Sequence, residues 1–302
     1  MAGMTQQVVG GRAMETATPV DGIDVVGSLS PSRAGDFMTC PLLYRFRTID
    51  KLPETSSPEA VRGTVVHKVL EDLFDLPAWD RTPERAVDLL EPAWEAVLAE
   101  DPETAELFGG DGPEIGAWLV SCRESLERYF TLEDPRRLEP AEREMYVETL
   151  LDSRLLLRGF VDRLDVAPTG EVRVVDYKTG RSPSEIFEGK ALFQMKFYAL
   201  VLWRLRGSIP TLLQLIYLGN GEVLRYRPDE RDLLAVERKV NAIWAAISRA
   251  AESGDWRPRR SKLCDWCSHQ ALCPEFGGTP PPLPVVTRAE VLDPGLAPED
   301  TD

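Results

Sequence analysis

Two short runs, Leu155 to Val166 and Glu171 to Tyr177, follow each other across a Pro168-Thr169-Gly170 turn. Runs of this length around a Pro/Gly turn predict an antiparallel strand pair whose side chains alternate between faces. A further strand is expected at 143–151 and two more near 212–218 and 222–227. Helical periodicity predicts helices at about 58–76, 81–99, 113–131, 189–206 and 229–252. Ser30 before Pro31 reads as an N-cap opening a short helix towards Cys40 and Pro41. Helices around a small mixed sheet give an α/β fold.

The folded unit is expected over 25–276. Residues 1–24 read as a disordered leader, and 277–302, with six prolines and a net charge of −4, as a disordered acidic tail. The leader lacks the basic start and apolar core of a secretory signal, and no apolar run approaches the roughly 18–20 residues that span a bilayer. A cytoplasmic protein without a membrane segment is the expectation.

The net charge of −15 argues against a nucleic-acid partner when taken as a whole, but it is unevenly placed. Residues 71–115 hold 14 acids against two bases, within a stretch, 71–140, expected as an acidic helical insertion. Without that segment and the two ends the remainder is +3, with a basic cluster at Arg257, Arg259, Arg260 and Lys262.

In the second strand of the pair Asp176 and Lys178 share a face with Val172 and Val174, and in the first Asp162 shares a face with Phe160 and Leu164. Paired as a hairpin, Asp162, Asp176 and Lys178 converge. Two carboxylates at one point repel unless a cation lies between them, and hard oxygen donors suit Mg²⁺ or Mn²⁺. A metal beside a lysine can hydrolyse a phosphodiester, with the lysine orienting water or stabilising developing charge. An isolated Asp-x-Lys is far more often a surface pair beside a turn. On the helix expected at 58–76, Gly63, His67 and Glu71 fall on one stripe, which makes His67 a candidate further ligand. Gln194 and Tyr198 are also one helical turn apart and face either the same site or solvent.

Cys264, Cys267 and Cys273 form C-x2-C-x5-C. Three thiolates need a fourth ligand, and Cys40 fits best because, like Cys273, it precedes a proline. Cys122 sits in an apolar helical pattern and reads as a core thiol, and His269 as a spacer or an alternative ligand. Four thiolates hold either zinc or an iron–sulfur cluster, and spacing alone leaves both open.

Taken in order, Ser30-Pro31-Ser32 to Cys40-Pro41, Gly63 to Glu71, Gly159 to Asp165, Asp176 to Gly180, Gln194 with Tyr198, and the terminal cysteines resemble the RecB-family nucleases of the PD-(D/E)XK superfamily. They resemble in particular its iron–sulfur group, which includes CRISPR-associated and AddB-type nucleases. The resemblance implies a restriction-endonuclease-like core with a C-terminal iron–sulfur staple, and Mg²⁺- or Mn²⁺-dependent cleavage of DNA. It implies His67, Asp162 and Asp176 as metal ligands and Lys178 as the catalytic lysine, with Asp162 and Asp176 in the same catalytic set. Gln194 and Tyr198 would support the site and contact DNA, and Cys40, Cys264, Cys267 and Cys273 would hold a [4Fe–4S] cluster in preference to Zn²⁺. The expected activity is single-strand or end-directed exonuclease cleavage in DNA repair or recombination. Any unwinding would come from a helicase or repair partner, since the chain carries no P-loop. The alternative is a non-catalytic or partner-dependent DNA-binding, scaffolding subunit of a helicase-nuclease complex, with the acidic insertion as its docking surface.

Overall fold

The computed structural model describes residues 25–109, 112–184 and 188–284. The expected leader and the part of the tail beyond residue 284 lie outside them. The elements run β1 (Gly27–Leu29), α1 (Pro31–Thr39), α2 (Pro41–Tyr44), a π-helical turn at Arg45–Ile49, α3 (Pro58–Leu73), α4 (Pro83–Asp88), α5 (Leu90–Glu100) and α6 (Gly112–Leu132). There follow β2 (Glu142–Leu150), β3 (Leu155–Val166), β4 (Val172–Lys178), α7 (Glu188–Arg206), β5 (Leu212–Tyr217), β6 (Glu222–Tyr226) and α8 (Glu230–Ser253).

Helix starts follow local chemistry. Ser30 accepts from the Arg33 N–H, Ser57 from that of Ala60 and Asp229 from that of Asp232, each satisfying a donor at a helix start. The single helix expected over 81–99 is divided at Leu89. Pro92 has no N–H to offer the carbonyl four residues back and its ring crowds that carbonyl, so α4 stops and α5 begins afresh.

The sheet is mixed, in the order β1-β3-β4-β5-β6, with β2 on the remaining side of β3. The expected hairpin forms, with Arg163 opposite Val175, and α7 crosses over to place β5 parallel to β4. One edge of β3 is shared. Its start pairs with β1 at Leu155–Leu157 and its end with β4 from Arg163 onward, so the sheet forks between them. At that fork lies Asp162.

Two cores separate across the sheet. Val172 and Val174 of β4 face a core built with α1, α2, α7 and α8. Val175 and Tyr177 face the other, built with α3, α4, α5 and α6. The acidic stretch is therefore the cover of one sheet face, with Trp94, Trp118 and Leu126 buried beneath its charged exterior. Cys122 belongs to this core, and burial pushes its thiol up to about 12. Among the described residues, no helix is long and apolar enough to cross a membrane.

Candidate metal centre

Each site residue sits on an element whose packing fixes it. The valines of α3 are buried in the second core, and this leaves His67 at the sheet fork. Its Nε2 lies 2.9 Å from the Tyr177 carbonyl oxygen. Nε2–H donating there leaves the Nδ1 lone pair free for a ligand, and Nδ1 lies 3.6 Å from Asp162 Oδ2. The Tyr177 backbone N–H donates to the same Asp162 oxygen at 2.8 Å. One peptide strand thus orients both groups.

Glu144 completes the arrangement. Arg143 pairs with Arg163 and Met145 with Val161, which sets Glu144 opposite Asp162, with a backbone φ of 41°. His67, Glu144 and Asp162 offer donor atoms that all lie within 4.8 Å of one another. Burial first, then the neighbouring Asp162 carboxylate, raises the Glu144 pKa to about 7, with Glu71 and Asp176 adding to the effect and His67 opposing it. Crowded carboxylates with an imidazole are a donor set that a divalent cation would neutralise, so these residues fit a bound metal.

Asp176, expected beside His67 and Asp162 as a ligand, stands outside the close trio but near enough for its charge to act on Glu144. It is 2% exposed. Its Oδ1 accepts from Gln194 Nε2 at 3.1 Å and its Oδ2 lies 3.3 Å from Lys178 Nζ. The expected turn-apart pair on α7 is divided in role. Gln194 reaches Asp176, whereas Tyr198 packs behind β3, where a Cβ on Gly159 would come within 2.9 Å of its ring. Gly219 holds the other end of the site: a Cβ there would meet the Gly180 carbonyl at 2.4 Å, and its N–H donates to Gly180 O. Gly63 is under no such pressure, since an added Cβ would meet Thr179 Oγ1 at an ordinary 3.7 Å.

Glu144 was not singled out from the sequence, although the signal was present. Strands at 143–151 and 155–166 joined by a tight turn put residue 144 opposite 162. Arg163 and Asp165, inside the same motif, are instead structural. Arg163 is 1% exposed, lies 2.9 Å from Glu133 Oε2 and 3.2 Å from Asp165 Oδ1, and donates to the Tyr177 hydroxyl.

Cys40, Cys264, Cys267 and Cys273 line one cavity of about 290 Å³. The Arg259 N–H donates to Cys40 Sγ and the Ser261 N–H to Cys264 Sγ, both at 3.3 Å. Burial, then the neighbouring Cys40, Cys267 and Cys264, raises the Cys273 pKa. His269 stands apart: it is 4% exposed, 2.6 Å from Glu54 Oε1 and packed on Phe46, so it pins the segment to the body. Of the basic cluster, Arg257 pairs with Asp255, Arg259 donates to the Met38 carbonyl and Arg260 lies over Phe276. Tyr177, Phe193 and Phe197 are buried, while Trp266 is exposed.

The Glu144 carboxyl makes stability pH-dependent. Its ordinary pKa is 4.5 and its folded value about 7. The stability it contributes is complete below 4.5 and lost as pH rises through 7, because the unfolded chain ionises first. In EDTA, Glu144→Gln is therefore expected to melt above the wild type at pH 8 and level with it at pH 4. Mn²⁺ should raise the wild-type midpoint at pH 8 more than the variant's. A gap that does not change with pH contradicts the burial of this charge.

The family model of the PD-(D/E)XK nuclease superfamily matches residues 28–274. Gene 69 protein of Mycobacterium phage D29 is 28% identical over 273 residues, which cover 82% of this chain and 96% of that protein. A subunit of the ATP-dependent helicase/deoxyribonuclease of Streptococcus mutans is 28% identical over 172 residues, 54% of this chain but 15% of its own length. The solved structure of SSO0001 aligns over 83% of this chain and 87% of its own, at 14% identity and a TM-score of 0.36.

Proposed function

The chain belongs to the PD-(D/E)XK nuclease superfamily, and we propose that it is a Mg²⁺- or Mn²⁺-dependent deoxyribonuclease that cleaves single strands or DNA ends as an exonuclease, in repair or recombination. The observation that carries this reading is the convergence of His67, Glu144 and Asp162 within 4.8 Å, with the Asp176–Lys178 pair alongside. His67, Asp162 and Glu144 would hold the cation, with Asp176 near enough to join them. Bound there, a divalent ion supplies polarisation of the phosphate and a more acidic water. Lys178 Nζ, held by Asp176, would orient that water or meet the charge developing on phosphate oxygen. Gln194 would fix Asp176, and Tyr198 would brace β3 behind Asp162. Similarity to a protein named as part of a helicase/deoxyribonuclease supports a helicase or repair partner that presents the strand; the proposed setting is the cytoplasm.

The test is cleavage of end-labelled single- and double-stranded DNA by the purified chain with Mn²⁺ or EDTA. Metal-dependent cutting that begins at ends is expected. A chain that binds DNA with Mn²⁺ but never cuts it would overturn the catalytic reading in favour of a scaffolding role.

Cys40, Cys264, Cys267 and Cys273 are proposed to hold a [4Fe–4S] cluster. The four cysteines line one cavity. Backbone N–H groups on two sulfurs fit cluster ligation as well. Cys40→Ser is expected to lose most of its iron, its brown colour and part of its solubility, and Cys122→Ser to keep its iron. Full iron in Cys40→Ser would show a different fourth ligand.

A further inference from the structure

The open face of the β2–β3 pair carries a feature that the metal site does not use. Tyr146 pairs with Phe160 two residues along from Glu144 and Asp162, and Glu148 with Arg158 two residues further. The Tyr146 and Phe160 rings meet at 5.3 Å and 56°. Tyr146 is 38% exposed, although its hydroxyl donates to Glu148 Oε2 at 2.6 Å. It is therefore a ring that is both accessible and fixed. The opposite face at this point is closed, since Val147 is buried in the first core and Gly159 lies against Tyr198.

We propose that Tyr146 and Phe160 form a stacking platform for one unpaired base of a DNA strand whose neighbouring phosphate lies at the His67–Glu144–Asp162 site. A strand rises roughly 3.3 Å per residue, so the Tyr146–Phe160 pair sits about 7 Å along the sheet from the Glu144–Asp162 pair, a spacing on the scale of one nucleotide in an unstacked strand. The face of an aromatic ring accepts any base, which makes such a platform tolerant of sequence. Glu148 and Arg158 face each other beyond the ring and offset one another in charge, so what this surface offers a strand is the aromatic face, which takes a base. In a duplex the bases are stacked on one another and present no free face. The platform therefore selects single strands and frayed ends. It rests on the reading of the adjacent centre as a nuclease site.

The test uses the full chain carrying Lys178→Ala, with Mn²⁺ present, and a fluorescein-labelled oligothymidylate beside a matched duplex. Tyr146→Ala is expected to weaken single-strand binding about tenfold, within the range for loss of one stacked base, while Tyr146→Phe binds as the parent does. An abasic residue moved along the strand should cost affinity at one position with Tyr146 present and nothing further at that position with Tyr146→Ala, as two cuts of one contact are not additive. This scan on the Tyr146-containing protein also serves if Tyr146→Ala folds poorly. Unchanged single-strand affinity in Tyr146→Ala, or a flat abasic scan, overturns the platform and leaves the rings to another occupant such as a protein. The wild type judges the centre separately. Mn²⁺-dependent cutting with a flat scan discards the platform and keeps the nuclease, and neither binding nor cutting discards both.

Discussion

Lys178→Ala is expected to lower metal-dependent DNA cleavage by about 10²–10³-fold, the scale on which removal of one group that meets developing charge acts. The ammonium lies at the end of β4, partly exposed and 3.3 Å from Asp176 Oδ2. It is placed to reach outward to a phosphate rather than inward to the core. Asp176 retains Gln194 as a donor when the lysine is gone, so the fold should survive the loss. The melting curve should move by a few degrees at most. Single-turnover cleavage of end-labelled DNA, with the melt run on the same preparation, checks both halves. A variant that cuts at the wild-type rate removes Lys178 from the chemistry.

Arg163→Ala should do the reverse and damage the fold. The guanidinium is 1% exposed and lies between Glu133 and Asp165, with the Phe74 and Tyr177 rings each 5.5 Å from its central carbon. Arg173 shares the same two carboxylates, and Gln214 donates to Glu133, but neither replaces a buried cation. Removing one partner from such a set costs about 3–5 kcal/mol, because the remaining charges stay buried. For a chain of this size that lowers the melting midpoint on the order of 10 °C. Lysine should rescue little, since an ammonium cannot reproduce the planar fork. Thermal melting in EDTA measures it, and a midpoint within a degree or two of wild type would contradict the assigned role.

These variants also show where the sequence was legible. Asp162-Arg163-Leu164-Asp165 is a single motif along the chain, yet its first acid faces the candidate metal site while the arginine and last acid tie β3 to Glu133 and β4. Alternation assigns a face to each residue, but what stands opposite that face is a tertiary fact. The long helices and the strand pair were readable because their periodicity extends over many residues. β1 is three residues long and exists only through its pairing with Leu155–Leu157, so no local signal marks it. The division at Leu89 was present in Pro92 and outweighed by the surrounding helical pattern. In the site, His67, Asp162, Asp176 and Lys178 were visible by type and spacing. Glu144 is legible only through the register of the two strands, since several acids in that strand look alike until one is set opposite Asp162.

The site is built on a seam. His67 comes from the helices over one sheet face, Gln194 and Tyr198 from the helix over the other, and the strands between them carry the rest. A chain with either layer adrift would lack a wall of the candidate site, so on the proposed nuclease reading a partly folded molecule would not cut DNA. If that reading holds, competence to cut would arrive only once both helical layers are docked on the sheet, which makes complete folding the condition for activity.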